Sequence, residues 1–122
     1  MYGAPRTVNF ILYCARWEAA VAFYRDALKL PVNMQKEWFI EFSLGRDARL
    51  SVADERRASI KSAGGAGVTV SLEVDDIEAV RADVERQGLQ PSEIRDHPWG
   101  ALVFHLLDPE GHRLEFWQKT AP

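Results

Sequence analysis

The chain has 122 residues, of which 47% are hydrophobic and 27% are charged, with a formal net charge of -3 at pH 7. This size and composition predict one compact domain with a single hydrophobic core. Because basic residues are scattered among acids, nucleic acid is not expected as a partner. No apolar run approaches the roughly 18 residues of a membrane helix, and residues 1–10 do not resemble a signal peptide. We therefore expect no membrane partner and a cytoplasmic location.

The first half of the chain predicts a strand, a helix and three more strands. Residues 7–14 are rich in β-branched and aromatic side chains, which favours a strand. In residues 15–30 apolar side chains recur every three or four positions, which is typical of a helix that ends before Pro31. Three short runs then predict strands at 32–37, 38–45 and 48–54.

The second half repeats this order after a charged and then glycine-rich stretch, residues 55–66, which is predicted to be a linker or a mobile loop. Residues 68–74 alternate apolar and polar side chains and predict a strand with one buried face. A helix is expected over 77–87, capped by Asp75 or Asp76 and ended by Gly88. The last predicted strands are 89–95, 99–107 and 112–118.

The two halves can be aligned with each other. Residues 8–21 lie over 68–81, and residues 48–54 lie over 112–118. Such an internal duplication, with only two copies, predicts a pair of βαβββ modules related by a pseudo-twofold axis. The predicted fold class is therefore α+β, as a single domain with modules 1–54 and 67–122 joined by the linker 55–66.

Three stretches carry a resemblance to a known family: WEAAVAFY at 17–24, LEVDDIEA at 72–79 and DPEGHRLEF at 108–116. With the doubled module, they resemble the vicinal oxygen chelate superfamily, which includes glyoxalase I, extradiol dioxygenases, and fosfomycin and bleomycin resistance proteins. The resemblance spans roughly residues 7–119. It implies that each module curls into a half-barrel, and that side chains facing the resulting cleft bind a metal or a ligand.

Metal-dependent members of the family hold the ion on four residues, which the resemblance maps onto Asn9, Ser51, Thr69 and Glu115. Only Glu115 is a good ligand, because neutral amide and hydroxyl oxygens cannot replace the hydration shell of a transition metal at comparable free energy. We therefore predict no metal and no cofactor. A non-standard site formed by Glu115 with histidines remains an alternative; its candidates are His97, His105 and His112.

Glu115 then has three possible roles. It can be a structural residue paired with Arg113 or with backbone donors. It can be a polar anchor for a ligand, or it can act as a general base, since a desolvated carboxylate without a cationic partner becomes a stronger base. No catalytic residue is assigned beyond this one candidate.

Strand alternation extends the predicted ligand site, because residues two apart on a strand share a face. Alternation adds Tyr13, Glu73 and Trp117 to the four mapped positions, and the resemblance implies an aromatic side chain at the cleft rim, where it places Trp99, with Trp38 as a further candidate. The predicted ligand-binding residues are thus Asn9, Tyr13, Ser51, Thr69, Glu73, Trp99, Glu115 and Trp117. The tryptophans favour a planar ligand, and the two acids favour a cationic or hydroxylated one.

Two classes of function follow, and a third is not excluded. The first is a metal-independent protein that sequesters a planar or aromatic small molecule, as the resemblance to bleomycin resistance proteins implies. The second is a lyase, dioxygenase or isomerase of the same superfamily that uses Glu115 as a base or within a non-standard metal site. The third is an interaction module without a small ligand. A half-barrel leaves strand edges and apolar surface exposed, so we also predict a homodimer.

Overall fold

The structure, a computed structural model, describes residues 3–120 of the chain. It contains two compact units, the first ending at Gly64 and the second beginning at Gly65. Each unit has the element order βαβββ and one four-stranded sheet. The predicted α+β class with two βαβββ modules is confirmed. Within residues 3–120, no helix is long and apolar enough to cross a bilayer.

The first unit is built on a sheet with the strand order β1-β4-β3-β2, in which β1 and β4 are parallel and the other neighbours are antiparallel. Its elements are β1 (Val8–Cys14), α1 (Trp17–Val21), a π-helical segment (Ala22–Ala27), β2 (Val32–Lys36), β3 (Phe39–Leu44), β4 (Ala48–Asp54) and a 3-10 helix (Glu55–Arg57). The predicted helix therefore forms where it was expected, but its second half is π-helical, as the bond from Leu28 N to Phe23 O shows.

The second unit repeats this topology with the order β5-β8-β7-β6. Its elements are β5 (Thr69–Glu73), α2 (Ile77–Arg86), β6 (Arg95–His97), β7 (Ala101–Leu107) and β8 (Arg113–Lys119). Of the two predicted caps of α2, Asp76 is the one used: its carboxylate accepts a hydrogen bond from Ala79 N at 3.1 Å. Gly88, with φ of 81°, ends the helix in the left-handed region as predicted.

The predicted strand at 89–95 is wrong over most of its length, since β6 begins only at Arg95. Pro91 has no N–H to donate to a sheet. Ser92 instead forms two hydrogen bonds with His105 of β7. Its main-chain N donates to His105 O at 2.9 Å, and its side-chain Oγ accepts from His105 N at 2.8 Å. The segment therefore lies along β7 without forming a regular ladder.

Each unit buries the helix-facing side of its own sheet. The buried apolar side chains include Leu12, Tyr24, Ile40, Phe42, Leu50 and Val52 in the first unit and Val70, Ile77, Val84, Phe104, Leu106, Leu114 and Phe116 in the second. Val8 and Phe10 share the face of Leu12 by strand alternation, yet they are 45% and 54% exposed. They lie at the start of β1, an edge strand with a neighbour on one side only.

The duplication inferred from the sequence also holds in strand register. Ser51 of β4 is the partner of Ile11 in the parallel neighbour β1. Glu115 of β8 is likewise the partner of Ser71 in β5. Positions 51 and 115 are therefore equivalent in the two sheets, as the alignment of residues 48–54 with 112–118 requires.

Candidate functional site

Glu115 lies in a polar cluster on the face of the second sheet that is turned away from α2. Ser71 Oγ donates a hydrogen bond to Glu115 Oε1 at 2.8 Å. Oε2 lies 3.5 Å from His105 Nε2 and 3.7 Å from Arg113 Nη2, and the side chain of Glu115 is only 20% exposed. The pairing with Arg113 that was one of the three expected roles is therefore present.

His105 completes this cluster through Arg113, whose Nη2 lies 2.9 Å from His105 Nε2. A guanidinium can only donate, so Nε2 of His105 accepts and the ring proton belongs on Nδ1 in this arrangement. The general-base role was expected for a carboxylate without a cationic partner. Arg113 supplies such a partner at 3.7 Å, which weakens the case for that role.

The four positions to which the family resemblance assigns a metal do not fit one. In the first unit, Ser51 is fully buried and its Oγ donates to Asn9 Oδ1 at 2.8 Å, so these two side chains satisfy each other. In the second unit, Thr69 is the strand partner of Arg113 rather than of a second acid. Three neutral oxygens and one carboxylate next to an arginine are a poor donor set for Zn, Ni, Fe or Mn.

The histidines do not assemble the alternative metal site either. His105 contacts Glu115, but His112 is buried and its Nδ1 lies 2.9 Å from Asp108 Oδ2. His97 packs against Trp99, with ring centroids 6.1 Å apart. Across residues 3–120 there is no group of three or more His, Cys, Asp or Glu side chains that could hold a metal ion.

Two predicted aromatic residues of the second unit pack on each other. The rings of Trp99 and Trp117 form an edge-to-face pair with centroids 5.6 Å apart and an interplanar angle of 63°. Trp99 remains 58% exposed. Glu73, the strand partner of Trp117, has its carboxylate 3.8 Å from Lys119 Nζ. Both acids that were expected to anchor a cationic ligand therefore have a basic neighbour.

The first unit contains an aromatic pocket of about 340 Å³. Its lining residues are Ile11, Tyr13, Trp38, Phe39, Ala53, Arg57, Ala58 and Ser59. Tyr13, Ala53 and Phe39 are strand partners, so they form one row across β1, β4 and β3. Trp38 packs against Phe39 with centroids 5.5 Å apart. Of the predicted ligand-binding residues, Tyr13 lines this pocket, as does Trp38, the further candidate.

The segment after β4 closes one side of the pocket, and hydrogen bonds hold it in place. The Asp54 carboxylate accepts from Arg56 N at 3.0 Å and from Arg56 Nη2 at 2.7 Å. This side-chain hydrogen bonding holds the pKa of Asp54 below its usual value. Lys61 Nζ donates to Glu55 O at 2.7 Å, and this hydrogen bond links the start of the 3-10 helix to the residues that follow it.

Residues 55–59 were predicted as part of a linker or mobile loop, and the structure gives this stretch a defined local conformation. The three residues Glu55–Arg57 form a 3-10 helix, and Arg57, Ala58 and Ser59 line the pocket. A signal was present in the sequence: an aspartate at the end of a strand commonly accepts from the backbone two residues later. Charged and glycine-rich composition outweighed that signal.

The predicted site residues are thus divided over several local arrangements. Asn9 pairs with Ser51, Tyr13 lines the aromatic pocket, Glu115 lies in the polar cluster, and Trp117 packs with Trp99. Sequence reasoning missed Phe39, Ala53 and Arg57 as pocket residues. Ala53 could have been found, because it lies two residues after Ser51 on the same strand and shares its face.

The fold and these sites define a two-module βαβββ protein with an aromatic pocket in its first module. Residues 6–116 match the family model described as Glyoxalase/Bleomycin resistance protein/Dioxygenase superfamily. The chain belongs to this superfamily. Among curated proteins, no match to the sequence was found.

Solved structures share the fold at low sequence identity. TnmS3, described as an antibiotic-binding protein from a Streptomyces species, has a TM-score of 0.80 and 19% identity, with 98% of this chain and 99% of that chain covered. A lactoylglutathione lyase from Agrobacterium tumefaciens has a TM-score of 0.75 and 20% identity, with 97% and 96% covered. A glyoxalase/bleomycin resistance protein/dioxygenase from Nocardioides has a TM-score of 0.79 and 20% identity, with 98% and 87% covered.

Proposed function

We propose that this chain binds a planar aromatic small molecule in the pocket lined by Tyr13, Trp38 and Phe39, without help from a bound transition metal. The pocket is the observation that carries the proposal. At about 340 Å³ it lies at the lower end of the range of roughly 300 to 1,000 Å³ found for small-molecule sites. Such a volume suits a compound of one to three fused rings.

The energetic argument rests on the aromatic side chains. Offset-stacked or edge-to-face ring pairs contribute on the order of 0.5 to 1.5 kcal/mol each beyond the burial of their area. Three such side chains around one pocket therefore favour a flat, unsaturated ligand over a sugar, which would need more hydrogen-bond donors and acceptors than the lining offers.

The chemistry of the donor set supports metal independence. The donor set that the family would use contains Asn9 and Ser51, which hydrogen-bond each other, and one carboxylate that has Arg113 within 3.7 Å. The similarity to TnmS3, whose name describes an antibiotic-binding protein, is compatible with a binding role. The similarity to a lactoylglutathione lyase is of the same order, so the proposal depends on the pocket and the donor set.

Fluorescence titration tests the binding proposal. Trp38 lines the pocket, so a naphthalene probe such as 2-naphthalenemethanol should quench tryptophan emission saturably. Trp38→Ala should weaken binding, measured by calorimetry, by about fivefold to tenfold, because it removes one ring pair and its contact area. Met34→Ala is the matched control, since Met34 is an exposed apolar residue of the same unit outside the lining. Equal affinity of the two variants would refute the pocket as the site.

Elemental analysis tests metal independence. Protein purified without a histidine tag and without chelator should contain far less than one equivalent of Zn, Ni, Mn or Fe per chain. Close to one equivalent would instead support the enzyme alternative with a non-standard site. His105 Nε2 and Glu115 Oε2, 3.5 Å apart, would then be the first ligands to replace.

We also propose that the two modules form one domain that pairs with a second copy of the chain. Val8 and Phe10 leave apolar surface exposed at the edge strand β1, which supports an association of this kind. Light scattering should give about twice the monomer mass of 13.8 kDa at high micromolar concentration. A mass equal to the monomer would contradict the dimer. A cytoplasmic location stays a prediction.

A further inference from the structure

Arg57 contributes a charged side chain to the lining of the aromatic pocket of the first unit. The hydroxyls of Tyr13 and Ser59 and the indole N–H of Trp38 belong to other lining residues, and each can donate a hydrogen bond. Among residues 3–120, no Asp or Glu belongs to the lining. The electrostatic character of the pocket is therefore that of a cation next to neutral donors.

The guanidinium of Arg57 is only loosely engaged within the chain. Its Nη1 lies 3.9 Å from Glu37 Oε2, which is beyond hydrogen-bond distance, and the Glu37 side chain is 92% exposed. The neighbouring Arg56 differs, because it lies 2.7 Å from both Asp54 and Glu18. Arg56 is thus committed to the structure of the turn, whereas Arg57 keeps donors for another acceptor.

The acids that favoured a cationic ligand lie elsewhere and are matched by basic groups. Glu115 has Arg113 at 3.7 Å, and Glu73 has Lys119 at 3.8 Å. Neither acid belongs to the lining of the aromatic pocket. Selection by charge at the pocket therefore depends on Arg57.

From these contacts we infer that the pocket selects planar aromatic carboxylates, with the ring among Tyr13, Trp38 and Phe39 and the carboxylate on the guanidinium of Arg57. This inference rests on the proposed function, since it names the ligand class of the same pocket. A guanidinium matches a carboxylate with two parallel N–H···O bonds, which fixes the orientation of the ligand as well as its charge. The planar fork of Arg57 can also lie against the ring of the ligand.

Three probes with the same ring test the inference: 2-naphthoate, 2-naphthalenemethanol and 2-naphthylmethylammonium. Their dissociation constants are measured by calorimetry at low ionic strength. We expect 2-naphthoate to bind about fivefold more tightly than the alcohol, the factor that corresponds to a favourable but solvent-accessible ion pair. The ammonium probe should bind most weakly. Raising the salt concentration should reduce the preference for the carboxylate.

Replacement of the guanidinium identifies the residue responsible. Arg57→Gln should lower the ratio of naphthoate to alcohol affinity to about one, because the variant loses more affinity for naphthoate than for the alcohol. Arg57→Lys, which keeps the charge but loses the fork, should retain part of the preference. Arg46→Gln is the matched control, because Arg46 is an exposed arginine of the same unit outside the pocket lining, and it should keep the wild-type ratio.

The possible results separate this inference from the function on which it rests. If none of the three probes binds, the proposed binding function fails. If the alcohol binds as well as naphthoate, or the ammonium probe binds best, the binding function stands and the selection of carboxylates is refuted. A preference for naphthoate that survives in Arg57→Gln would refute the role of Arg57.

Discussion

In the first unit, Ala53 of β4 lies between its strand partners Tyr13 and Phe39, whereas Trp117 of β8 holds the equivalent position between Glu73 and Val103. The methyl group of Ala53 leaves room for the aromatic pocket. The indole of Trp117 instead packs on Trp99. The same strand position therefore carries a small side chain beside a pocket in one unit and a large side chain in an aromatic pair in the other.

The two sheets also share a polar contact made by an arginine at equivalent strand positions. Arg49 and Arg113 hold equivalent positions, and each contacts a residue on the adjacent antiparallel strand: Arg49 Nε lies 3.7 Å from Glu41 Oε2, and Arg113 Nη2 lies 2.9 Å from His105 Nε2. An arginine with a polar partner is thus common to both units, including the one where Ser51 replaces the carboxylate. The cluster around Glu115 has a structural counterpart that needs no ligand.

The largest effect is expected from opening the second unit. Trp117→Ala should lower the free energy of unfolding by roughly 2 to 3 kcal/mol, since a large aromatic side chain that is only partly buried loses its packing on Trp99. Urea denaturation measures this change. Calorimetry with 2-naphthalenemethanol should give an unchanged affinity, which assigns Trp117 to packing. A parallel loss of affinity would return Trp117 to the ligand site, as the sequence predicted.

Filling the first unit is the reverse change. Ala53→Trp should weaken binding of the naphthalene probes at least about tenfold, because the new indole occupies the volume in which the ligand ring would lie. Ala63→Trp, which adds a tryptophan at an exposed site of the same unit, is the control. Circular dichroism should be native-like for both variants. Probe affinity retained by a folded Ala53→Trp protein would contradict the equivalence drawn between the two units.

A third difference concerns two equivalent residues near the ends of β4 and β8. Asp54 of the first unit is bound by Arg56, whereas its counterpart Gln118 accepts a hydrogen bond from Ile77 N at 2.8 Å. The pKa of Asp54 is lowered in the folded chain by its side-chain hydrogen bonds to Arg56. The stability from this pair is therefore complete above the unfolded-state pKa of about 3.9 and is lost as the pH falls through the lower folded value.

Asp54→Asn should accordingly lower the free energy of unfolding by about 1 kcal/mol at pH 7. It should also reduce the further loss of stability on acidification below about pH 4. Glu18, whose pKa is also lowered mainly by its hydrogen bond to Arg56, will contribute a remaining acid dependence. Gln118→Ala should lower the free energy of unfolding by a comparable amount, because Ile77 N at the start of α2 loses its hydrogen-bond acceptor. The pH dependence of stability should not change. Urea titrations at a series of pH values compare the variants, and parallel curves for Asp54→Asn and the wild type would contradict the role given to Asp54.

The smallest effect is expected at Glu37, which differs from Glu115 in the number and distance of its polar neighbours. Glu37 lies 3.9 Å from Arg57 and is almost fully exposed, whereas Glu115 has Ser71, His105 and Arg113 around it. Glu37→Gln should raise the affinity for 2-naphthoate about twofold by removing a competing charge from Arg57. Binding of 2-naphthalenemethanol should not change. A decrease in naphthoate affinity would show that Glu37 positions Arg57 instead of competing for it.

Local chemistry let the sequence determine much of the fold. Alternation in residues 68–74 identified the buried face of β5, and Asp76 and Gly88 marked the ends of α2. These features depend on residues close in the chain, so their pattern can be read without tertiary contacts. Alignment of the two halves also identifies equivalent positions, and it pairs Ser51 with Glu115 from the sequence alone.

Only the tertiary structure decided which side chains meet. The contact between Asn9 and Ser51 spans 42 positions of the chain, and its existence depends on the register of β1 against β4. Arg57 was classed with a linker by its composition, yet the turn held by Asp54 brings it to the pocket. Glu115 itself could be a ligand anchor, a base or a structural residue by sequence. The pairing with Arg113, two residues away on the same strand, could be expected from the sequence. The contacts with His105 and Ser71 depend instead on the register of β8 against β7 and β5, which spacing along the chain does not give.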